Sequence, residues 1–265
     1  MKRFISLLLT ILLFFTAFNY VIAGDALSIA VSRLESDISN NLKTIDADLK
    51  SAAKDAGKLK ESEIRKLLVG LCTNKPYAVD AAFINSKGII TIIEPGKYRK
   101  HEGSDISNQE AVILMQKSKK PFMSNLFDSV EGIKSIDIEY PVFSADRKFL
   151  GSLSLLVEQD KLIRKIAAPI EKELNVNCFV MQKDGTLIYD TDPSQIGSNI
   201  FSDQLYKDYP ELVSLGKRMV REKNGRGYYT FLIHGTDKII KKQAVWKTIQ
   251  FFDNNWIVVS YREIK

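Results

Sequence analysis

A pattern that occurs twice constrains this chain more than any other feature. Residues 83–95 read FINSKGIITIIEP and residues 180–193 read VMQKDGTLIYDTDP, and the loops after them carry GSDI at 103–106 and GSNI at 197–200. The offset is 97 positions at the hairpin glycines, Gly88 and Gly185, and 94 at the loop glycines, Gly103 and Gly197. In each copy two apolar runs flank a short polar stretch ending in Gly, which is a β-hairpin signal. Glycine at equivalent turns fits, since it adopts positive φ without the strain other residues incur. A unit that recurs in order sets the architecture before any single motif is read.

The segments downstream of the two hairpins repeat as well. After the first come a loop, a short helical stretch around Asn108 to Lys117, and three strand candidates, PFMSNLF, IKSIDIEYPVF and KFLGSLSLLVE. After the second come the helix YPELVSLGKRMVREK and the strands GYYTFLI, KKQAVWKTIQF and NWIVVSYRE. The expected fold is therefore α+β: two tandem modules, each a roughly five-stranded antiparallel sheet flanked by helices. Ahead of them Leu27, Val31, Leu34, Ile38, Leu42, Ile45, Leu49, Ala52, Ala56 and Leu59 recur at steps of four and three, the stripe of one long amphipathic helix. Gly57 interrupts it and Ser62 is a candidate cap for a restart that ends before Pro76. The stretch DKLIRKIAAPIEKEL reads as a helix between the modules. The expected boundaries are 1–23 for an N-terminal signal, 24–75 for the long helix, 76–160 and 176–265 for the modules, and 161–175 for the connecting helix.

The first residues, MKRFISLLLTILLFFTAFNYVIAG, have a basic start, an apolar run and small residues near Ala23. This is a secretory pattern, with cleavage after Ala23, and an uncleaved membrane anchor is the competing reading. Either way the body is expected outside the cytoplasm, periplasmic or extracellular. With 45% hydrophobic and 26% charged residues the composition is that of a folded globular protein, which excludes disordered and collagen-like classes. Without residues 1–23 the chain has 36 basic against 32 acidic residues, a net charge of +4, with no basic stripe that would mark a nucleic-acid partner. Cys72 and Cys178 are expected as two separate thiols, with a disulfide as the alternative.

A long N-terminal helix followed by two such sheets resembles the double Cache family of extracytoplasmic, PAS-like sensor modules. The likeness rests on FINSKGIITIIEP, YPVFSADRKFLGSLSLLVEQDKL and KDGTLIYDTDPSQIGSNIF. It implies a membrane-distal first module that usually holds the ligand, a membrane-proximal second module that is often empty, and helices that carry the signal. Two departures stand out. Where amino-acid-binding members have an Arg and aromatics, this chain has KKPFMSNLF, placing Lys119, Lys120 and Phe122 there. Where those members place an Asp for the ligand amine, the alignment puts Leu156. A buried ammonium facing Leu would be unpaired, which is costly, so an α-amino-acid ligand is not supported. The chain also stops after its last strand, so occupancy is expected to be passed to another protein.

Candidate ligand-binding residues in the first module are Tyr98, Arg99, Lys100 and His101 on the loop over the sheet, with Phe122, Ser124 and Tyr140 on strands. If Tyr140 faces the pocket, alternation turns Asp137 and Glu139 away. The basic residues suggest an organic anion. In the second module Tyr189, Asp190, Tyr206, Tyr228 and Trp246 are candidates for a smaller pocket. Asp190 and Asp192 lack the further oxygen ligands of a calcium loop and are read as turn-stabilising, so no metal is expected. His101 and His234 have no zinc spacing and no nucleophile motif is present, and no cofactor or enzymatic activity is expected. The leading reading is an exported small-molecule sensor with no output domain of its own, acting through a membrane receptor or kinase. The alternative is an interaction module that docks, or dimerises, through the stripe on its long helix.

Overall fold

A computed structural model describes residues 2–233 and 235–264, with side chains described from Ala26 onward. The expected signal segment, 1–23, and His234 lie outside the residues whose side chains are described. Among the described residues no helix is long and apolar enough to cross a membrane.

Helix α1 spans Lys2–Ala56 and α2 spans Glu61–Cys72. The break falls at Gly57, where an added Cβ would lie 1.9 Å from the Phe143 carbonyl oxygen. Helix α2 is capped by Lys60 rather than Ser62, with the Lys60 amide donating to the Glu63 carboxylate at 2.9 Å. The first module then contains β1 (Ala78–Asn85), β2 (Ile90–Glu94), α3 (Glu110–Ser118), β3 (Phe122–Met123), β4 (Phe127–Asp128), β5 (Lys134–Phe143) and β6 (Phe149–Val157). Helix α4 (Gln159–Leu174) leads into β7 (Asn177–Gln182), β8 (Leu187–Asp190), α5 (Pro210–Arg221), β9 (Asn224–Leu232), β10 (Ile239–Phe251) and β11 (Asn254–Glu263).

The sheets run β2-β1-β6-β5-β3, with β4 also on β5, and β8-β7-β11-β10-β9. These are the same antiparallel order, so the repeat is one of topology. The turns match as well: Gly88 and Gly185 have φ of 84° and 94°, and Gly103 and Gly197 have 89° and 88°. In each copy the residue after the hairpin glycine bridges to the next loop, Ile89 to Asp105 and Thr186 to Asn199. The predicted strand PFMSNLF is two short strands, because Ser124 turns its hydroxyl onto the Asp137 amide at 2.8 Å and interrupts the ladder.

Both sheets present one face to α1. Leu27, Val31, Leu34, Ile38, Leu42, Ile45 and Leu49 are all buried, in one core with Ile136, Ile138, Val180 and Val258. From Ala26 to Ala56 a helix rises about 45 Å, long enough to lie along both sheets. The apolar stripe is therefore consumed inside the chain. This corrects the expectation that it serves as a homodimer or receptor-docking surface: Leu34, Ile38 and Leu42 are fully buried against the protein's own sheets. Cys72, half-buried, and Cys178, buried, are both free thiols. Burial pushes the Cys72 thiol up to about 12, which leaves it unreactive as a thiolate.

Candidate functional site

With α1 on one face of the first sheet, alternation decides what lies on the other. Strand β5 sends Ile136, Ile138 and Tyr140 to the helix side. The Tyr140 hydroxyl donates to the Asp46 carboxylate of α1, and its ring meets Phe252 edge-on at 6.2 Å. Tyr140 thus faces the helix and not the pocket, and the alternation rule places Asp137 and Glu139 on the pocket side, the reverse of the sequence expectation.

The pocket is small, about 40 Å³, and its lining holds four carboxyl groups: Asp80, Glu131, Asp137 and Glu139. No Lys or Arg lines it. Leu156 sits between two of these acids, in register with Asp80 on β1 and Asp137 on β5. Three of the four carboxyls are buried, with Asp80 3% exposed and Glu139 0%. Asp137 accepts from the Ser154 hydroxyl at 2.6 Å. Asp80 Oδ2, both oxygens of Glu139 and the Ser129 hydroxyl have no hydrogen-bond partner. Burial, reinforced by Glu131 and Asp137, pushes the Asp80 carboxyl up to about 8. Burial and the neighbouring Asp137 hold Glu139 well above the carboxylate range, and burial raises Asp137 too. Removing water penalises the charged form, and a second carboxylate penalises it further.

The other sequence-predicted residues of this module are not gathered around that pocket. Arg99 donates to Glu94 at 2.9 Å, and Arg65 bonds both Glu94, at 2.9 Å, and Glu102, at 2.8 Å. Lys100 is exposed, Tyr98 packs beside Ile93 and Ile106, and His101 Nε2 is enclosed without a partner. The basic loop is thus held by acids at its base. Phe122 and Ser124 line a separate groove of about 480 Å³ beside α3, with Lys120 and Asn254.

In the second module a cavity of about 370 Å³ lies on the equivalent face of the sheet. Asp190 and Tyr206 line it, as predicted from sequence. The other three candidates do not. Tyr189 points to α4, its hydroxyl donating to Glu171 at 3.1 Å with the Arg164 guanidinium over its ring. Tyr228 is exposed under Lys241. Trp246 is buried beneath Gly225, where an added Cβ would come within 2.3 Å of the indole, and its N–H donates to the Glu222 carbonyl at 3.0 Å. The aspartates hold the turn: Asp190 accepts from the Asp192 amide at 2.8 Å and Asp192 from the Ser194 amide at 3.0 Å. Among the described residues no three His, Cys, Asp or Glu side chains are arranged to hold a metal ion.

Sequence reasoning missed Asp80 and Lys242, and its alternation argument turned Asp137 and Glu139 away from the pocket. The alternation that turned Ile136, Ile138 and Tyr140 to one face carried the signal for the β5 acids; what it lacked was the knowledge that α1 takes that face.

The fold has the tandem PAS-like, double Cache architecture, with one strand order used twice. Residues 40–159 match the family model described as HK/GC/Chemotaxis protein-like, sensor domain. No curated protein sequence matches the chain. Among solved structures, an extracellular ligand binding receptor from Desulfohalobium retbaense is 26% identical, with a TM-score of 0.74 over 89% of this chain. This chain spans 40% of that receptor's length. The sensory domain of the Campylobacter jejuni chemoreceptor Tlp3 with isoleucine bound is 12% identical, with a TM-score of 0.63 and 94% of each chain covered. A methyl-accepting chemotaxis protein X is also 12% identical, with a TM-score of 0.72, covering 94% of this chain and all of that one.

Proposed function

We propose that this chain is an extracytoplasmic sensor domain whose first module binds a small organic cation, an amine without a free carboxylate. The observation that carries the reading is the set of buried carboxyls Asp80, Asp137 and Glu139 lining one pocket with no cationic side chain, two of them with oxygens that nothing in the protein satisfies. Buried polar atoms are almost always paired, so orphans facing one space mark a missing donor. An ammonium supplies both the charge and the N–H donors. An amino acid's carboxylate would find no cation there, and the organic anion expected from Arg99, Lys100, Lys119 and Lys120 would meet four acids instead.

The pocket as formed accommodates an ammonium headgroup and little more, so a longer ligand requires movement of the turn at Ser129–Ile133. Occupancy has a route out of the site. Strand β5 carries the pocket acids Asp137 and Glu139 on one face and Tyr140 on the other, in contact with Asp46 of α1. A shift of β5 on ligand binding moves the residue that touches the long helix, and a membrane receptor or kinase partner would read the helix.

Thermal melting tests the reading with methylammonium, putrescine and tetramethylammonium against acetate, pyruvate and L-alanine. A specific cation should stabilise the fold by about 2.7 kcal/mol at a hundredfold over its dissociation constant, and Asp137→Asn should abolish the effect. Stabilisation by the anions alone, or cation binding that survives Asp137→Asn, refutes it.

A further inference from the structure

The cavity of the second module is larger than the acidic pocket of the first, and beside the more exposed Asp192 and Asp237 its lining carries two buried opposite charges, Lys242 and Asp190, that form no ion pair with each other. Lys242 is 4% exposed. Its ammonium donates to the Leu232 carbonyl at 2.6 Å and stands 5.0 Å over the Tyr261 ring and 5.6 Å over Phe231. Asp190 is 7% exposed, and one of its oxygens accepts the Asp192 amide at 2.8 Å. Neither forms an ion pair within 4.0 Å, with the other or with any other described residue. The hydroxyls of Tyr229 and Tyr261, both rings buried, line the same cavity and make no hydrogen bond to a described residue. Tyr206 in the same wall donates to Gln195 at 2.6 Å.

A buried lysine with no carboxylate in contact and a buried aspartate with no cation in contact are each costly even with opposite charges further off. Here they border one volume of about 370 Å³, within the range of small-molecule sites. A lone anion would satisfy Lys242 and leave Asp190 facing it, and a lone cation would do the converse. A ligand with both charges satisfies both. The rest of the wall, with Phe179, Leu187 and Phe231, suits an apolar body between or beside them.

We propose that the second module binds a small zwitterion, its carboxylate on Lys242 and the free tyrosine hydroxyls, its ammonium on Asp190, and its apolar part against the aromatic wall. The cavity opens between the turn carrying Thr236 and the loop carrying Ser194, both exposed. This inference does not rest on the first-module reading. It gives the chain two ligand sites of different charge chemistry on equivalent faces of its two sheets.

Isothermal titration tests it with L-valine and L-phenylalanine, each beside the amine and the acid left when one charge is deleted: isobutylamine and isovalerate, phenethylamine and 3-phenylpropionate. The titrations use the wild-type chain and an Asp137→Asn chain, in which the first-module site is disabled. At least one zwitterion should bind both chains alike, about tenfold or more tighter than either of its deletions, about 1.4 kcal/mol. Lys242→Met should reduce it to the affinity of the amine and Asp190→Asn to that of the acid. Thr236→Phe, at an exposed position on the mouth, should block binding without changing the melting temperature, which covers the case in which the buried variants fail to fold. Absence of binding by both zwitterions up to about 10 mM, equal binding by a deletion, binding lost in Asp137→Asn, or binding retained in Thr236→Phe overturns the proposal.

Discussion

Replacing Asp80 by Asn should raise the stability of the unliganded protein, and the gain should grow with pH. Asp80 shares the pocket with Asp137, Glu139 and Glu131, with the positive charge of Lys97 acting weakly against them. Its folded-state value of about 8 stands against 3.8 for the free side chain. A carboxyl whose folded value is raised contributes stability that is fully present below its unfolded value and is lost as pH rises through the folded one. The window therefore runs from about pH 4 to about pH 8, and above it the full penalty is paid. Four units at about 1.36 kcal/mol each set a ceiling near 5.5 kcal/mol. Relaxation of the turn over the pocket and water entry reduce it, and a third of the ceiling, about 2 kcal/mol, would shift Tm by about 4–8 °C in a chain of this size. Asparagine keeps the shape and removes the titration. Melting curves of both proteins from about pH 5 to about pH 9, at low ionic strength, should converge at the acid end and separate towards the alkaline end. A Tm difference that stays constant across that range would mean Asp80 titrates like an exposed carboxylate, and the account of the pocket as a desolvated acid cluster would fail with it.

The same geometry sets three other outcomes. The affinity of tetramethylammonium, whose own charge does not titrate, should rise with pH up to about 8, because a cation binds the ionised acids and expels their protons; calorimetry in buffers of different ionisation heat reads the proton release directly. Ile38→Ala should cost about 2–5 kcal/mol of stability by urea titration, since Ile38 is fully buried in the core shared by both modules, and it should do so without any change in oligomeric state. Tyr140→Phe removes one hydrogen bond to a carboxylate, worth about 1.5–3 kcal/mol, and hydrogen exchange in α1 around Asp46 should then no longer respond to first-module ligand.

The architecture was legible because it is written in features that survive without long-range information. The matched hairpins at 83–95 and 180–193, the glycines at equivalent turns and the helical stripe from Leu27 are local patterns, and the two sheets share one strand order. The site was less legible because it is made across strands. Leu156 looked disqualifying when read along β6 alone, yet its partners on either side are Asp80 and Asp137. The loop arginine and lysines looked like anion ligands because nothing in the order of residues shows Arg65, from α2, converging with Arg99 on the buried Glu94. In the second module Trp246 looked like pocket lining, but the glycine opposite it, Gly225, gives the indole a berth inside the sheet layer.

Long-range burial also makes β5 more than a wall. An acid on the outer face of a half-exposed sheet is ordinary; an acid on a sheet covered on both sides must be answered by a partner. Covering the first sheet with α1 on one side and the α3 region on the other makes Asp137 and Glu139 costly, and that cost is what the proposed cation would recover. Because Tyr140 comes directly after Glu139, the proposed ligand-binding acid and the residue that bonds α1 are one peptide bond apart. A ligand bound as proposed would act on a strand that already contacts the long helix through Tyr140 and Asp46, with no separate relay between pocket and helix required.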